Sequence, residues 1–501
     1  MVIVSAVVIT LVLLVFEWYR YVRRYPIGPF PLPLIGNLHQ IALGKWRYGG
    51  IVGTMKVWQK EYGNVLTIWL GPLPTVHIMD YETAKSEMIG NGSAYVDRYT
   101  PYVLDVKREG RGTVFSSGDF WADHRRFSMR TLRKFAMRDT VMEERIMDEF
   151  HLNFSKLDKS LKNGQRATIN AGEFFDVLIG SVINRVIFSE RFTEENTNEF
   201  FAVKHEFDRE LMTMSAFDMS LEKWTLNVPL LKDKWRRLIS PQEKLIDFIE
   251  RRITQRKMDI ASGDHTLDEA SDFVDAYLIK MENDQREGKD NSVAYKDDGL
   301  LYDVLDLWIA GQETTTITIM WAFIHLIKNP EIVENVRKEL HSITNGNRSI
   351  TLKDRSQTPF MNWTILEIQR LSAILNLNLW RKTKDGGFIG GQFVPQGTAI
   401  AAELSMIMSD ENHFEDWKKF NPERYEKGGK SLEQRVIPFG LGKRSCIGEM
   451  LAKAELYLVL SNMIARYEFF EDPSAPIDLQ TATPLGMMHR PKNFNIVLKA
   501  I

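Results

Sequence analysis

Apolar residues recur at helical spacing along most of this 501-residue chain. The 3.6-residue period predicts helices at roughly 119–136, 140–160, 171–188, 196–216, 240–260, 298–328, 358–373 and 450–467. Short β-branched or aromatic runs near 65–79, 388–400 and 493–499 predict small sheets. Segment 281–299 is rich in Asp, Glu, Lys, Asn and Gly and reads as a solvated loop. The expected fold class is mostly α with small β-sheets. Dividing the length by a typical domain size suggests about three domains. No Gly/Ser/Pro linker, internal repeat or low-complexity tract interrupts the body, so one domain is expected over 38–501.

The N-terminus breaks this amphipathic pattern. Residues 1–16 carry no charge, and Glu17 is the first interruption. Sixteen helical residues span about 24 Å, a little short of a bilayer core. Trp18, Tyr19 and Tyr21 extend the span as an interfacial belt. A cleaved signal peptide would place positive charge before the apolar run. Here Arg20, Arg23 and Arg24 follow it, so residues 1–24 are expected to be a retained transmembrane anchor, with the body facing the cytosol. Pro26, Pro29, Pro31 and Pro33, with Gly28 and Gly36, exclude helix and give a stiff extended hinge over 25–37.

Composition narrows the function. A formal net charge of −2 provides no basic footprint for nucleic acid. His205-Glu206 lacks the second His of a zinc-hydrolase helix. The single cysteine, Cys446, excludes an internal disulfide and agrees with a reducing compartment. Gly440 and Gly442 precede it, Gly448 follows it, and an apolar helix begins just beyond. That setting points to a chemical role: a thiolate ahead of a helix N-terminus is a soft ligand for a metal such as haem iron.

The run Phe439-Gly440-Leu441-Gly442-Lys443-Arg444-Ser445-Cys446-Ile447-Gly448 resembles the haem-binding loop of the cytochrome P-450 superfamily at every fixed position. The resemblance implies the cytochrome P-450 fold. It also implies haem b (iron protoporphyrin IX) with Cys446 as axial thiolate, Phe439 and Gly440 beside it, and Arg444 facing a propionate. Trp121 and Arg125 match the family's W-x-x-x-R and would also bind propionates, with Arg98 and Arg381 as further partners.

In mid-helix, Ala310-Gly311-Gln312-Glu313-Thr314-Thr315-Thr316 contains poor helix formers, and a Thr hydroxyl can bond the carbonyl one turn back. This stretch matches the family's [AG]-G-x-[DE]-T-[TS]. By resemblance Gly311 leaves room for dioxygen, the distorted helix admits water, Glu313 relays protons from solvent, and Thr314 supplies the hydroxyl needed to cleave O–O. Glu367 and Arg370 fit E-x-x-R. Arg424 joins them from Pro422-Glu423-Arg424-Tyr425, where Tyr425 replaces the usual Phe; these three are structural.

The activity implied is insertion of one oxygen atom of O2 into a hydrophobic small molecule such as a xenobiotic, fatty acid or steroid. The overall look is that of animal microsomal members. With no flavin or dinucleotide motif in the chain, two electrons must arrive from outside; the resemblance implies an NADPH-dependent flavoprotein reductase as donor, with a cytochrome b-type donor as a further partner. Arg126, Arg130, Arg133, Lys134, Arg138 and Lys443 form a candidate docking patch. The implied location is the endoplasmic reticulum membrane. Phe207, Leu211, Met212, Met214, Phe217, Trp308, Leu375, Leu377, Leu379, Met487 and Met488 fall in the family's pocket segments. The alternatives on the same fold are a haem sensor without turnover and a peroxide-using isomerase.

Overall fold

The computed structural model describes residues 2–135, 139–161, 165–289, 293–483 and 488–501. Arg138 and Met487 therefore lie outside the described residues. At the centre runs a 32-residue helix, Asp297–Lys328, unbroken from end to end. Its residues from Thr315 to Ile324 are all buried. A helix apolar on every side must be surrounded, and this one packs against Ala171–Phe188, Lys232–Ser262, Pro359–Ser372 and Glu449–Arg466. The helix Gly118–Phe135 closes one flank through the helix Phe273–Arg286.

The β structure is peripheral. β1 (Val65–Leu70) and β2 (Leu73–Ile78) form an antiparallel hairpin with Val65 opposite Ile78. β3 (Arg166–Asn170) lies elsewhere in the chain, while β4 (Arg381–Lys382) edges the first sheet. β5 (Gly387–Ile389) and β6 (Gln392–Val394) make a small hairpin, and β7 (Ala399–Ala402) joins β2 in parallel. The last two strands, β8 (Tyr467–Glu471) and β9 (Asn495–Ala500), join β3 in a sheet ordered β3-β9-β8.

Several elements differ from the sequence reading. The helix Pro330–Thr344 was not expected, because Asn329-Pro330 reads as a stop signal. It is also a start: Pro330 occupies the first helical turn, where its missing N–H costs nothing. Phe273–Arg286 was likewise missed, and its end occupies the first part of the expected 281–299 loop. Its start is fixed by Asp272, whose carboxylate accepts the Asp275 N–H at 2.9 Å. The helix expected from 240 begins at Lys232 and carries Pro241 in its interior.

The N-terminal apolar helix runs Val2–Val22. Its 20-residue stretch Ile3–Val22 has mean hydropathy 1.9 and none of it is buried in the protein. Twenty residues span about 30 Å, enough for a bilayer core, and Glu17 is paired with Arg20 at 2.7 Å. The aromatic belt does more than mark an interface. Trp18, Tyr21 and Tyr25 gather around the buried ring of Trp69 in β1, at 5.0, 5.6 and 5.3 Å. The proline-rich segment is tied down as well: Ile27 N–H donates to Gln392 and the Asn37 amide to the Pro29 carbonyl, both at 3.0 Å.

Glu367 anchors the floor of the cysteine loop. It accepts Arg370 at 2.8 and 2.9 Å, Arg424 at 3.0 Å, and the Tyr425 hydroxyl at 2.9 Å. Arg370 spends its remaining donors on the Met408 and Trp417 carbonyls. A buried carboxylate so fully bonded is stable where an unpaired one would not be. The aromatic exchange at 425 is thus a gain, since Phe could not donate to Glu367. Tyr425 shares an apolar cluster with Ile437 and Leu441, which leads directly into the cysteine loop.

Candidate functional site

The cysteine loop is a run of tight turns. Gly440 and Gly442 adopt φ of +72° and +73°, and a β-carbon on Gly442 would sit 1.8 Å from the Met88 carbonyl oxygen. The loop closes on itself through Cys446 N–H to the Phe439 carbonyl at 2.9 Å. The helix Glu449–Arg466 begins three residues after the cysteine, with Gly448 at its N-cap. Cys446 is exposed by surface area, yet dense surroundings push its thiol pKa up by desolvation, against the Gly448 N–H and Arg125. Both facts suit a group facing an internal slot. The expected thiolate preference from the helix terminus is therefore outweighed by burial. Ionisation needs a stronger charge than the helix supplies, which a bound metal provides.

Above that loop four arginines crowd together. Arg444 bonds the Val96, Thr113 and Ser116 carbonyls, and Arg98 those of Val114 and Leu379. Arg125 reaches the Ser445 carbonyl at 2.7 Å, and Arg381 the Leu441 carbonyl. Arg444 stacks 3.8 Å over the Trp121 ring. Burial, then the neighbouring guanidiniums, push Arg98 down to about 9 and Arg444 to about 8. Burial and Arg125 push Arg381 down to about 10. Arg381 Nε and Nη1 and Trp121 Nε1 are buried without a hydrogen-bond partner. Such a cluster demands an anion with several acceptor oxygens. A haem with its two propionates fits that donor set and the cysteine beneath it.

Beside the cluster lies a cavity of about 290 Å³, walled almost wholly by apolar side chains. Val114, Phe115 and Leu379 line it, and their backbone carbonyls, or those of their neighbours, hold the arginines. The central helix contributes Ala310, Glu313 and Thr314. Of the expected pocket residues, Leu211, Met214, Leu375, Leu377, Leu379 and Met488 are on the wall. Phe207 and Trp308 belong instead to the core, where Trp308 packs edge-on against Phe200 and Phe248. Met212 and Phe217 are exposed to the outside.

A β-carbon on Gly311 would lie 2.6 Å from Ile183, so the glycine admits the neighbouring helix Ala171–Phe188. Two expectations for the central helix change. The helix is continuous here and not distorted; Thr314 merely donates its hydroxyl to the Ala310 carbonyl at 2.7 Å. Glu313 is 2% exposed and does not face solvent. Its oxygens meet Lys204 at 2.5 Å and Arg490 at 3.0 Å. Those cations also hold Asp208, at 2.5 and 2.9 Å, and Lys204 lies 3.5 Å from Asp176. Burial, opposed by Lys204, leaves the Glu313 carboxyl raised to about 7.

The sequence reading missed a second interior acid. Glu455, on the helix that follows the cysteine, accepts the Thr315 hydroxyl at 3.0 Å. Its other oxygen is buried without a partner, and burial raises its pKa to about 8. It links the two helices that flank the arginine-walled slot.

A sequence model of the family described as Cytochrome P450 matches residues 26–498. This chain belongs to the cytochrome P450 family. It is 40% identical over 461 residues to a probable cytochrome P450, cyp-35D1, of Caenorhabditis elegans, covering 91% of each chain. It is 30% identical to cytochrome P450 2B19 of Mus musculus, over 91% of this chain and 90% of the other. Cytochrome P450 2C70 of Rattus norvegicus is also 30% identical, over 95% and 94%. Membership makes the protein a haem-thiolate monooxygenase of the family's general type, which generally draws electrons from redox-partner reductases.

Glu455 gives this P450 a measurable pH signature. Its folded pKa lies above the unfolded value of about 4.3, so the folded state binds the extra proton between the two. The stabilisation is complete below the unfolded value and is lost as pH rises through about 8. Glu455→Gln is expected to raise the thermal midpoint at pH 8 and to leave it nearly unchanged at pH 4.5. Denaturation scans at both pH values check this, and equal shifts at both would assign the effect to packing.

Proposed function

We propose that this P450 hydroxylates hydrophobic small molecules, with Cys446 as the iron ligand and Arg98, Arg125, Arg381, Arg444 and Trp121 as the propionate clamp. The observation that carries this reading is the four-arginine cluster, two of its members buried and two half-buried, which stands between the cysteine loop and an apolar cavity. When bound, the haem supplies an iron centre that activates dioxygen with two electrons delivered from outside. The protein's own residues then have separate tasks. Leu211, Met214, Leu377 and Met488 exclude water and hold the substrate against Ala310 and Thr314. Thr314, by rotating from the Ala310 carbonyl, presents its hydroxyl to the cavity. Glu313, next to Thr314 in the chain, and Glu455, hydrogen-bonded to Thr315, hold protons near neutral pH.

The electron donor in this reading is an NADPH-dependent flavoprotein reductase, with a cytochrome b-type protein as a second donor. Arg126, Arg130, Arg133, Lys134 and Lys443 support it as exposed basic positions on the helix Gly118–Phe135 and in the cysteine loop. Residues 1–24 serve as a single-pass anchor in the endoplasmic reticulum membrane, residues 25–37 connect it, and the catalytic domain, residues 38–501, faces the cytosol.

Cys446→Ser is expected to abolish the red-shifted absorbance band of the reduced carbon monoxide complex, because a hydroxyl is a much poorer ligand at neutral pH. An unchanged band would remove the assignment. Thr314→Ala should retain haem and substrate binding while product per NADPH falls about tenfold or more and released hydrogen peroxide rises. Equal coupling in both proteins would refute the role of the hydroxyl. Charge reversal at Arg126, Arg133 and Lys443 should slow reduction by the flavoprotein and flatten its salt dependence, while peroxide-driven turnover is spared. Parallel loss of both turnovers would reassign these residues to support of the haem site.

A further inference from the structure

A second chamber, of about 210 Å³, adjoins the apolar cavity. Ile51, Val52, Asn376 and Ser405 line both, so these residues form the partition between the two. The rim of the second chamber includes Gly49, which is exposed. Its chemistry differs from that of its neighbour, because Ser409, Thr481, Thr483 and His489 also face it.

The balance of donors and acceptors decides what this chamber can hold. Each hydroxyl on its wall donates to a backbone carbonyl: Ser405 to Asn376 at 3.2 Å, Ser409 to Ser405 at 2.7 Å, Thr481 to Arg490 at 2.8 Å, and Thr483 to Met488. A hydroxyl has one proton to give, so only lone pairs remain for a guest. Among the described residues nothing donates to the Oγ of Ser405 or of Ser409. His489 adds a third acceptor. Its Nδ1 lies 2.6 Å from the Ser372 carbonyl, which can only accept, so the proton sits on Nδ1 and Nε2 keeps a bare lone pair. Burial lowers the pKa of this ring and keeps it neutral. The ring is held by stacking on Trp321 at 4.8 Å, whose Nε1 donates to the His489 carbonyl at 2.8 Å.

The surrounding charge narrows the guest further. Arg370, the one Lys or Arg on this wall among the described residues, is turned to Glu367 and to the Met408 and Trp417 carbonyls. Lys56 Nζ bonds the Ser409 carbonyl at 3.1 Å and lies 3.6 Å over the Trp417 ring. Two cations this close oppose an ammonium guest. The acceptors therefore call for a neutral O–H. An apolar substrate has none, whereas hydroxylation turns a C–H bond into C–O–H and so creates one.

We propose that this chamber is a second binding site, selective for a neutral hydroxyl, and that it receives the hydroxylated product as it leaves the apolar cavity. This rests on the reading of that cavity as the monooxygenase substrate site. His489 Nε2 and the Oγ atoms of Ser405 and Ser409 accept the new hydroxyl. Ser405 stands on both walls, so the product meets an acceptor at the partition itself. A hydroxyl kept among apolar walls without a partner is destabilised, which favours the crossing for product and not for substrate. An apolar cavity of roughly 150 Å³ is enough to take benzene. A chamber of about 210 Å³ thus admits a one-ring alcohol, or the hydroxylated end of a longer product.

The test uses the full-length, haem-loaded ferric protein with benzyl alcohol and ethylbenzene, which differ by a hydroxyl in place of a methyl group. Haem absorbance reports occupancy of the cavity beside the iron, and sealed equilibrium dialysis reports the total bound. Ethylbenzene is expected to bind as one equivalent and benzyl alcohol as two. The second equivalent should be silent in the haem spectrum and should prefer the alcohol about tenfold. Ser409→Ala combined with His489→Phe removes two acceptors and keeps an aromatic ring against Trp321. It should abolish the second equivalent and leave the haem-reported titration unchanged. A single equivalent of benzyl alcohol in the wild-type protein, or two equivalents of both probes, would overturn the site, and neither outcome depends on a variant. A second equivalent that survives the double substitution would overturn it too. Two equivalents of alcohol with no haem response from either probe would instead refute the reading of the apolar cavity and leave the hydroxyl site standing.

Discussion

Four guanidiniums set side by side, two buried and two half-buried, repel one another, and the region around the cysteine is built to hold them together nonetheless. Arg98, Arg125, Arg381 and Arg444 are each tethered by backbone carbonyls, drawn from the 96–117 segment, the Leu379 turn and the cysteine loop itself. Carbonyls soften the charge but do not neutralise it. The arginines therefore tie loops from distant parts of the chain into one rim while retaining a demand for anionic oxygen. That demand explains why so polar a cluster stands next to so apolar a cavity: a flat, largely apolar group with carboxylates on one edge satisfies both environments at once.

The interior carboxylates show the complementary solution. Glu367 is surrounded by donors from Arg370, Arg424 and Tyr425, and serves as a rigid brace. Glu455 has a single donor, Thr315, and remains a neutral acid over most of the physiological range. Glu313 falls between them, clamped by two cations yet raised toward neutrality by burial and by Asp208. Glu313 and Glu455, the two near the central helix threonines, are thus the ones raised to where a proton exchanges near pH 7.

Local features were legible in the sequence, and long-range partnerships were not. The cysteine loop could be read because its glycines and arginine are contiguous and each answers a local need, as the positive φ of Gly440 and Gly442 shows. The central helix was equally plain from its length and its stop signal. The packing need at Gly311 was not legible, because a glycine that admits a neighbouring helix looks like any other until Ile183 is in view. Lys204 and Arg490 could not be foreseen as partners of Glu313, since they lie 109 residues before and 177 residues after it. Arg108 and Asp306, an ion pair on the cavity wall, are separated by 198 residues, and neither belongs to a motif. The hydroxyl of Tyr425 likewise has no visible purpose until its acceptor, Glu367, is placed.

The Glu313 clamp also connects proton handling to the cavity wall. Lys204 and Asp208 lie on the helix Thr197–Thr213, and the same helix carries Leu211 onto the wall, with Met214 immediately beyond its end. A helix of this length moves largely as a unit, because its backbone hydrogen bonds resist local bending. Widening the cavity by displacing it therefore also draws Lys204 away from Glu313 and Asp176. The cost of separating buried opposite charges is high, so the clamp opposes that displacement. Arg490, arriving from the C-terminal segment, stays on the other oxygen of Glu313 and keeps the acid from being stranded. The width of the cavity and the pairing of Glu313 are in this way tied to one helix, and neither can change without loading the other.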